Sequence, residues 1–382
     1  MHKNWIIAGA GLTGAVLAER IARILGQSVL VIDRRSHIGG NVYDYFDESG
    51  TLVHRYGPHI FHTNARAIAE YLSRFTQWHA YEHRVLGLVD GQFIPLPFNY
   101  RSMELVFGAR EGARLNKLLT DEFGTDVKVP ILKMRETKSR DIRRIADFIY
   151  EKVFLHYNLK QWGVPPEDLD PSVSARVPVH LSWDDRYFQD SFQKMPADGY
   201  TALLNRLLDH PLIEVRTGVS FRDVEASEKF GRIIFTGPID EFFNYKHGSL
   251  PYRSLRFQMV STPSEKPIQR VGQENYPTPA EEHPFTRTTE FRLLTGQDGI
   301  GATTQALEYP EPYVIGENDP YYPIPREDNR EIYRKYKSEA TKLRTVFFAG
   351  RLADYNYYNM DQAVACALSC FEKEIVRAAE AA

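Results

Sequence analysis

The chain has 382 residues, of which 43% are hydrophobic and 25% are charged, and its formal net charge at pH 7 is -3. This composition excludes a disordered chain and a globally basic surface for nucleic acid, and the length suffices for two or three domains. An anionic ligand must therefore be bound by arginines that are placed locally. Two cysteines are too few for a disulfide framework or a four-cysteine metal site, so we expect a reducing, cytoplasmic location and no metal.

The predicted elements begin with a β-α-β unit, with strands over 4–8 and 28–32 and a helix over 13–25. Between the first strand and the helix, residues 9–14 read Gly-Ala-Gly-Leu-Thr-Gly, which is the G-x-G-x-x-G spacing. The first glycine permits a tight turn, the second lets a pyrophosphate approach, and the third lets helix and strand pack closely. Asp33 ends the second strand, where an acid can bind ribose hydroxyls. The unit therefore predicts a dinucleotide-binding site.

The rest of the chain predicts a helical segment followed by strand-rich segments. Asp198 is expected to cap a helix, and the region from 252 to 315 is expected to form several short antiparallel strands. In chain order, the other predictions are a hairpin over 84–95 with an Asp-Gly turn, helices over 101–157, a proline-rich loop over 164–178, a helix over 200–208, strands over 213–217 and 232–235, a helix over 328–343, a strand over 346–349 and a last helix over 360–381.

The residues after Asp33 favour FAD over NAD as the dinucleotide. A basic residue, Arg34, is followed by a Gly-Gly doublet at 39–40, which lets a second loop approach the cofactor. Near the other end, Phe-Phe-Ala-Gly-Arg at 347–351 is typical of a strand and loop that return to a flavin. The helix that begins near Met360 can then direct its N-terminus at the ring carbonyl. The alternative is that this C-terminal segment is an ordinary strand, loop and helix that complete the sheet without contacting a flavin.

Three further passages resemble one family. They are His-Arg-Tyr-Gly-Pro-His-Ile-Phe-His-Thr at 54–63, Lys-Gln-Trp-Gly at 160–163 with Ser-Ala-Arg-Val-Pro at 174–178, and Gly-Arg-Leu at 350–352 with Tyr-Asn-Tyr-Tyr-Asn-Met-Asp at 355–361. Together with the glycine motif, they resemble the bacterial UDP-galactopyranose mutases over nearly the whole chain.

The resemblance implies an α/β fold with a Rossmann-like FAD-binding domain, an inserted helical domain and an antiparallel β-sheet domain. The expected FAD-binding domain comprises 1–80, 195–242 and 341–382. The expected helical domain, with a mobile substrate loop, is 99–165, and the expected sheet domain comprises 81–98, 166–194 and 243–340.

The resemblance also implies an isomerase that interconverts UDP-galactopyranose and UDP-galactofuranose for cell-surface glycan synthesis. In the family mechanism, N5 of reduced FAD displaces UDP from the sugar, and the resulting sugar–flavin adduct opens, recloses as the furanose and recombines with UDP. The expected partners are UDP-galactose, UDP-galactofuranose and a transient reductant such as NAD(P)H, without nucleic acid or membrane. We expect a homodimer or a larger homo-oligomer.

Roles of single residues follow from the resemblance, motif by motif. Arg176 and Arg287 are expected to hold the diphosphate and to act in catalysis. Trp162 is expected to lie in the mobile loop, because Gly163 and two prolines follow it. The implied substrate-binding residues are His83, Phe154, Tyr157, Asn158, Trp162, Arg176, Tyr187, Arg253, Asn275, Arg287, Tyr321, Tyr357 and Asn359. The implied cofactor-binding residues are Gly9, Gly11, Leu12, Gly14, Asp33, Arg34, Gly40, Asn41, His59, Ile60, Val219, Arg351, Tyr358 and Met360.

Two residues depart from the family pattern. Asn158 stands where many members have Thr, and Asn359 stands where we expect Asp. An amide can donate as well as accept a hydrogen bond, so ligand binding is compatible with Asn359, but a role that needs a negative charge is not.

Two other functions compete with this interpretation. The first is a flavin oxidoreductase related to amine oxidases, which would share the glycine motif but would consume electrons. The second is a module that binds a UDP-sugar or a dinucleotide without turnover. A metal site at His59 and His62 is not expected, because no matching cysteine or acidic ligands follow.

Overall fold

The structure is a computed structural model that describes residues 3–170, 177–324 and 326–380. Its first layer is a parallel sheet of five strands, built around the predicted β-α-β unit. Strands of a sheet that is covered on both faces are rich in Val and Ile, as these are. In spatial order, the strands are Ile213–Thr217, Val29–Asp33, Lys3–Ala8, Phe230–Phe235 and Val346–Phe348.

Helices cover both faces of this sheet. On one face, Leu12–Arg20, Gly199–Leu208 and Met360–Cys370 bury a core with Trp5 at its base. On the other face, Glu327–Ala340 contributes the buried Tyr336 to a core that also contains Phe235 and Phe348 of the sheet. The first helix continues as the π-helical turn Ile21–Leu25. The last helix continues as the π-helical turn Phe371–Ile375 and the final helix Val376–Glu380.

The helix Gly199–Leu208 corrects one prediction about its start. Among the described residues, the Asp198 side chain accepts no capping bond and instead forms an ion pair with Arg206. The capping carboxylate comes from Asp44, whose two oxygens accept hydrogen bonds from the backbone N–H groups of Tyr200, at 2.6 Å, and Thr201, at 2.8 Å. The capping chemistry is therefore the expected one, but it is supplied by a segment distant in sequence.

A second, seven-stranded sheet lies beyond the first. Its two longest strands, Tyr252–Pro263 and Ala302–Pro312, form an antiparallel pair, so the prediction of several short strands here was partly wrong. The prolines lie at or near the strand ends, and the pairing continues through them. In spatial order, the strands are Tyr322–Pro323, Tyr252–Pro263, Ala302–Pro312, Arg287–Glu290, Gln273–Asn275, Val85–Val89 and Gln92–Leu96.

The helical segment ends in the helix His156–Trp162, called the Trp162 helix below. This helix stops at Gly163, whose φ of 76° is left-handed and suits glycine. Trp162 is therefore the last helical residue, and its placement in a loop was wrong. The preceding helical elements are Tyr100–Phe107, Ala109–Phe123, Ile131–Arg135, Arg140–Ile149 and the π-helical turn Tyr150–Leu155.

The other elements are short. The strands are Asp44–Phe46, Leu52–His54, Phe61–Thr63, Trp78–Ala80, Lys128–Val129, Val179–His180 and Phe192–Pro196. The helices and 3-10 turns are Gly40–Val42, Arg66–Leu72, Pro166–Asp168, Phe221–Ser227, Ile239–Phe242 and Phe291–Thr295. Across the described ranges, no helix combines the length and the apolar character that crossing a membrane requires.

Candidate active site

The glycine motif forms a cradle at the carboxyl edge of the parallel sheet. Gly11 precedes the helix Leu12–Arg20 and pairs with Gly39 through an isolated β-bridge. A Cβ on Gly40 would lie 3.0 Å from the Gly11 Cα, so a side chain at Gly40 would crowd the neighbouring loop. Within the described part of the chain, no side chain caps this helix, so its first N–H groups can bind phosphate oxygens.

Asp33 lies beside this cradle at the end of its strand. Its Oδ2 accepts a hydrogen bond from the Ala10 backbone N–H at 2.9 Å, and its Oδ1 accepts one from the Arg35 backbone N–H at 2.9 Å. Each carboxylate oxygen retains a second lone pair. The carboxylate therefore holds the turn in place and can still accept from a ribose hydroxyl.

A cavity of about 750 Å³ is lined by residues from the second sheet, from the Trp162 helix and from loops next to the parallel sheet. It brings together most of the residues that the sequence proposed for substrate and for the flavin ring. The proposed residues that line it are His59, Ile60, His83, Phe154, Tyr157, Asn158, Trp162, Tyr187, Asn275, Arg287, Arg351, Tyr357, Tyr358, Asn359 and Met360.

Other proposed residues lie outside the cavity lining. Arg34 forms an ion pair with Asp319 at 3.2 Å on the surface, and Asn41 accepts hydrogen bonds from Arg35 at 3.1 Å. Val219 packs near the end of the strand that carries Asp33 and donates its N–H to the Asp33 backbone carbonyl.

Two proposed substrate residues need separate comment. Arg253 does not line the cavity, and its guanidinium instead donates to backbone carbonyls of the Trp162 helix. Arg176, the other half of the expected diphosphate clamp, lies outside the described residues.

The tyrosine doublet at 321–322 corrects a further assignment. Tyr321 is buried between Tyr56 and Phe257, whereas Tyr322 lines the cavity. Successive side chains of an extended segment point to opposite faces, so only one member of the doublet can face the cavity. The sequence contains no signal that selects between two adjacent tyrosines.

Arg287 is the described cation best placed to bind an anion. Its Nε donates to Oε2 of Glu308 at 2.8 Å, and the Glu308 side chain is 2% exposed. Burial opposes the charge of Arg287, but the attraction of Glu308, together with Tyr157 and Tyr322, holds the pKa of the guanidinium above its ordinary range. Because only the Nε is used in this pair, the two terminal nitrogens remain as a fork for a phosphate.

Glu308 was not predicted from the sequence. It lies on the long strand Ala302–Pro312, and its Oε1 has no hydrogen-bond partner among the described residues. An alternating strand pattern indicates which positions are buried but does not indicate that a buried acid faces an arginine on the next strand.

Trp162, Tyr322, Tyr357 and Arg351 form a cluster at one wall of the cavity. The Trp162 and Tyr322 rings lie 6.0 Å apart, Tyr322 and Tyr357 lie 5.0 Å apart, and the Arg351 guanidinium lies 5.7 Å from the Tyr322 ring centre. Arg351 also donates to the Tyr358 backbone carbonyl at 2.7 Å. The cluster gives the cavity an aromatic wall with one fixed positive charge.

The helix Met360–Cys370 begins at this wall. Asn359 is the N-cap of this helix and forms a reciprocal capping box with Gln362. Met360 and Asp361 are the first two helical residues. The N-terminal end of a helix carries a partial positive charge. The amide at 359 therefore maintains the helix start without adding a negative charge to the cavity.

Three histidines at or beside the cavity are neutral at ordinary pH. Burial lowers the pKa of His54 to about 4, of His59 to about 3 and of His83 to about 3. The Nδ1–H of His59 donates to the Gly57 carbonyl at 2.8 Å. A neutral His59 beside Arg351 avoids a second buried positive charge.

These histidines predict a pH dependence of stability. Below pH ~6.5 the unfolded chain binds protons that the buried rings do not, so the free energy of unfolding should fall by about 1.4 kcal/mol per pH unit per histidine toward pH ~4. Above pH ~6.5 they should contribute no slope. Urea unfolding at pH 7.5, 6 and 5 measures this, and H83Q should reduce the slope by about 1.4 kcal/mol per pH unit relative to the wild type.

A control variant, H156Q, replaces a partly exposed histidine and keeps His54, His59 and His83. It should retain the wild-type slope. An H83Q slope equal to that of the wild type between pH 5 and 6.5 would contradict a neutral, buried His83.

The comparisons with known proteins agree with this geometry. A family model described as UDP-galactopyranose mutase matches residues 152–357, and a model described as an NAD(P)-binding Rossmann-like domain matches residues 7–75. A Klebsiella pneumoniae protein described as "Probable UDP-galactopyranose mutase" is 34% identical, with 96% of this chain and 93% of the relative covered. An Escherichia coli dTDP-fucopyranose mutase is 32% identical, with 96% of this chain and 96% of the relative covered.

A crystal structure of reduced UDP-galactopyranose mutase has a similar fold. Its TM-score is 0.73 at 16% identity, and the alignment covers 99% of this chain and 94% of that chain. The Rossmann-like layer, the glycine cradle and the second sheet across the cavity place the chain in the class of proteins with a dinucleotide-binding, Rossmann-like fold. The chain belongs to the UDP-galactopyranose mutase family and is an isomerase.

Proposed function

We propose that this isomerase interconverts UDP-galactopyranose and UDP-galactofuranose with FAD as its cofactor, and so supplies galactofuranose for cell-surface glycans. The observation that carries the proposal is the Arg287–Glu308 pair on the wall of a cavity of about 750 Å³. This cavity is also lined by Arg351 and by the start of the helix Met360–Cys370. A diphosphate-linked sugar fits a cavity that combines a buried cation with aromatic walls.

The residues of the dinucleotide end fit FAD. Because Gly11 and Gly40 carry no side chains, a pyrophosphate can approach the backbone at their crossing, and the uncapped helix start after Gly11 offers N–H donors. His59, Arg351 and Met360 line the part of the cavity that we assign to the flavin ring. Reduced flavin, when bound, supplies the electron-rich nucleophile that this chemistry needs.

Arg287 has two tasks in this proposal. Its guanidinium fork binds the diphosphate, and charge-assisted hydrogen bonds of this kind are worth about 1.5–3 kcal/mol each. As the bond between sugar and UDP breaks, negative charge accumulates on the departing phosphate, and a cation already in place stabilises it. Glu308 orients the guanidinium for both tasks, and Arg176 is the proposed second cation.

The Trp162 helix supplies the proposed wall for the nucleoside. Tyr157, Asn158 and Trp162 line the cavity from this helix, with Tyr187 from another segment. The Asn158 Nδ2 donates to the Phe154 carbonyl at 2.8 Å. This bond does not use the Asn158 Oδ1, which can act as an acceptor. Aromatic rings bind a pyrimidine base by stacking, and an amide oxygen can accept its N–H.

A dTDP-linked 6-deoxy sugar is the second candidate substrate. The specific observation in its favour is the dTDP-fucopyranose mutase that is 32% identical over nearly its whole length. The amides of Asn158 and Asn359, which depart from the expected pattern, both lie at the cavity. Parallel assays with UDP-galactofuranose and dTDP-fucofuranose decide between the two.

The oligomeric state and the electron donor of the enzyme are further parts of the proposal. We propose a cytoplasmic homodimer or larger homo-oligomer, reduced transiently by NAD(P)H or another donor. Light scattering with size-exclusion chromatography measures the oligomeric state.

The purified protein is expected to be yellow, with FAD bound in about equal amount to protein. The test is its absorbance spectrum and chromatography of the released cofactor, followed by incubation with UDP-galactofuranose and dithionite. UDP-galactopyranose should accumulate. Colourless protein that takes up no FAD on reconstitution would contradict the cofactor, and FAD-loaded protein without product would contradict the substrate.

A further inference from the structure

The ammonium group of Lys160 is held by three backbone carbonyls. Its Nζ donates to the carbonyl oxygens of Tyr276 at 2.6 Å, His283 at 2.9 Å and Phe285 at 2.9 Å. An ammonium carries three N–H donors, so this arrangement uses all of them. Burial lowers the pKa of Lys160 to about 8, partly offset by Glu282, so the ammonium form still predominates at pH 7.

The three carbonyls belong to one segment of the second sheet. The segment 276–286 connects the strand Gln273–Asn275 to the strand Arg287–Glu290. Asn275 lines the cavity immediately before this segment, and Arg287 lines it immediately after. The lysine therefore binds the connection near both of its ends.

Lys160 itself belongs to the opposite wall. It lies in the Trp162 helix, on which Tyr157, Asn158 and Trp162 line the cavity. A second cation fixes the end of the same helix, because Arg253 donates to the Gln161 carbonyl at 2.9 Å and the Lys160 carbonyl at 3.2 Å. Cations at the C-terminal end of a helix also bind its unpaired carbonyls favourably.

We propose that Lys160 is a positioning residue that ties the nucleoside wall, formed by the Trp162 helix, to the connection between Asn275 and Arg287. Lys160 does not line the cavity. It acts by fixing the distance between the two walls, so that an aromatic contact with the base and the Arg287 contact with the diphosphate are made together. Preorganisation of this kind strengthens binding because less ordering remains to be done when the ligand arrives.

The test is the variant K160M, which keeps the length of the side chain and removes its three donors. Hydrogen–deuterium exchange at pH 7 should become at least tenfold faster for amides in 276–286. The affinity of the FAD-loaded protein for UDP, measured by calorimetry, should fall by about 10- to 100-fold, which corresponds to the loss of one charge-assisted hydrogen bond. FAD content should not change.

The matched control is K152M. Lys152 lies in the same helical segment and forms an ion pair with Asp90 at 2.8 Å, with a side chain that is 37% exposed. Glu282 raises the pKa of both lysines through its negative charge. K152M therefore controls for the removal of one positive charge near Glu282. Exchange in 276–286 and UDP affinity should stay at wild-type values.

A second variant keeps the proposal testable if K160M does not fold. K160R retains the charge, but a planar guanidinium cannot direct three donors along the directions of an ammonium, so exchange and UDP affinity should lie between wild type and complete loss. Wild-type exchange and wild-type UDP affinity in K160M, or in K160R if K160M is unfolded, would overturn the proposal. The UDP measurement rests on the proposed function, whereas the exchange measurement does not. A wild-type protein that fails to bind UDP would therefore contradict that function, and the exchange data alone would then decide the role of Lys160.

Discussion

Replacing Arg287 with alanine should lower turnover of UDP-galactofuranose by about 10²–10³-fold while FAD stays bound. The reason is that Arg287 faces the proposed diphosphate and is held in place before the ligand arrives by Glu308, at 2.8 Å. Removing the guanidinium takes away charge stabilisation of departing UDP, and it also leaves the buried carboxylate without its partner. R287K should recover activity only partly, because lysine keeps the charge and loses the two-pronged geometry.

The measurement is steady-state turnover under reducing conditions, with flavin content determined by absorbance. R256A is a suitable control on the same sheet, since the Arg256 side chain is 56% exposed and its carboxylate partner, Glu311, lies 4.0 Å away. It should behave like the wild type. Near-wild-type kinetics in R287A would remove Arg287 from the diphosphate site, and loss of FAD with activity would assign it to the cofactor instead.

Turnover should also require prior reduction of the enzyme and yet consume no electrons. Pyranose and furanose forms of one sugar are isomers, so their interconversion transfers no net electrons, whereas a nucleophilic role for the cofactor needs its electron-rich form. The oxidised enzyme should be inactive, and activity should appear when dithionite bleaches the flavin.

The measurement is the number of product molecules formed per electron pair supplied, under anaerobic conditions. We expect this number to rise far above one with time. Equal rates for oxidised and reduced protein would contradict the proposed function, and one electron pair consumed per product would instead indicate an oxidoreductase.

The parts of the site that depend on local backbone geometry were predictable from the sequence. The glycine spacing specified a turn, a phosphate approach and a helix start, and the structure confirms the β-α-β unit with Gly11 next to Gly40. Such motifs are readable because each glycine is required by the backbone conformation or by a close contact within a few residues. The resemblance implied that residues distant in sequence, such as Asn275 and Tyr357, share one binding site, and both line the cavity.

The parts that failed depend on contacts between distant segments. Asp198 has the right residue type for a cap, but Asp44 occupies the helix start. The doublet at 321–322 offers two identical rings, and register decides which one faces the cavity. Glu308 pairs with an arginine on the neighbouring strand, a relation that depends on strand order and register. The division into three domains and the roles of Arg176 and Arg253 stay predictions.

The strand order of the parallel sheet has a consequence for how the chain folds during synthesis. The first strand lies at the centre of the sheet, between Val29–Asp33 and Phe230–Phe235, so one of its edges waits for a partner made much later. At about 5–20 residues per second, ribosomes need on the order of ten to fifty seconds to supply it. During that time a hydrophobic edge made of Trp5, Ile6 and Ile7 stays exposed to wrong partners. This edge of the first strand is therefore covered only after residue 235 has been synthesised and the strand Phe230–Phe235 has paired with it.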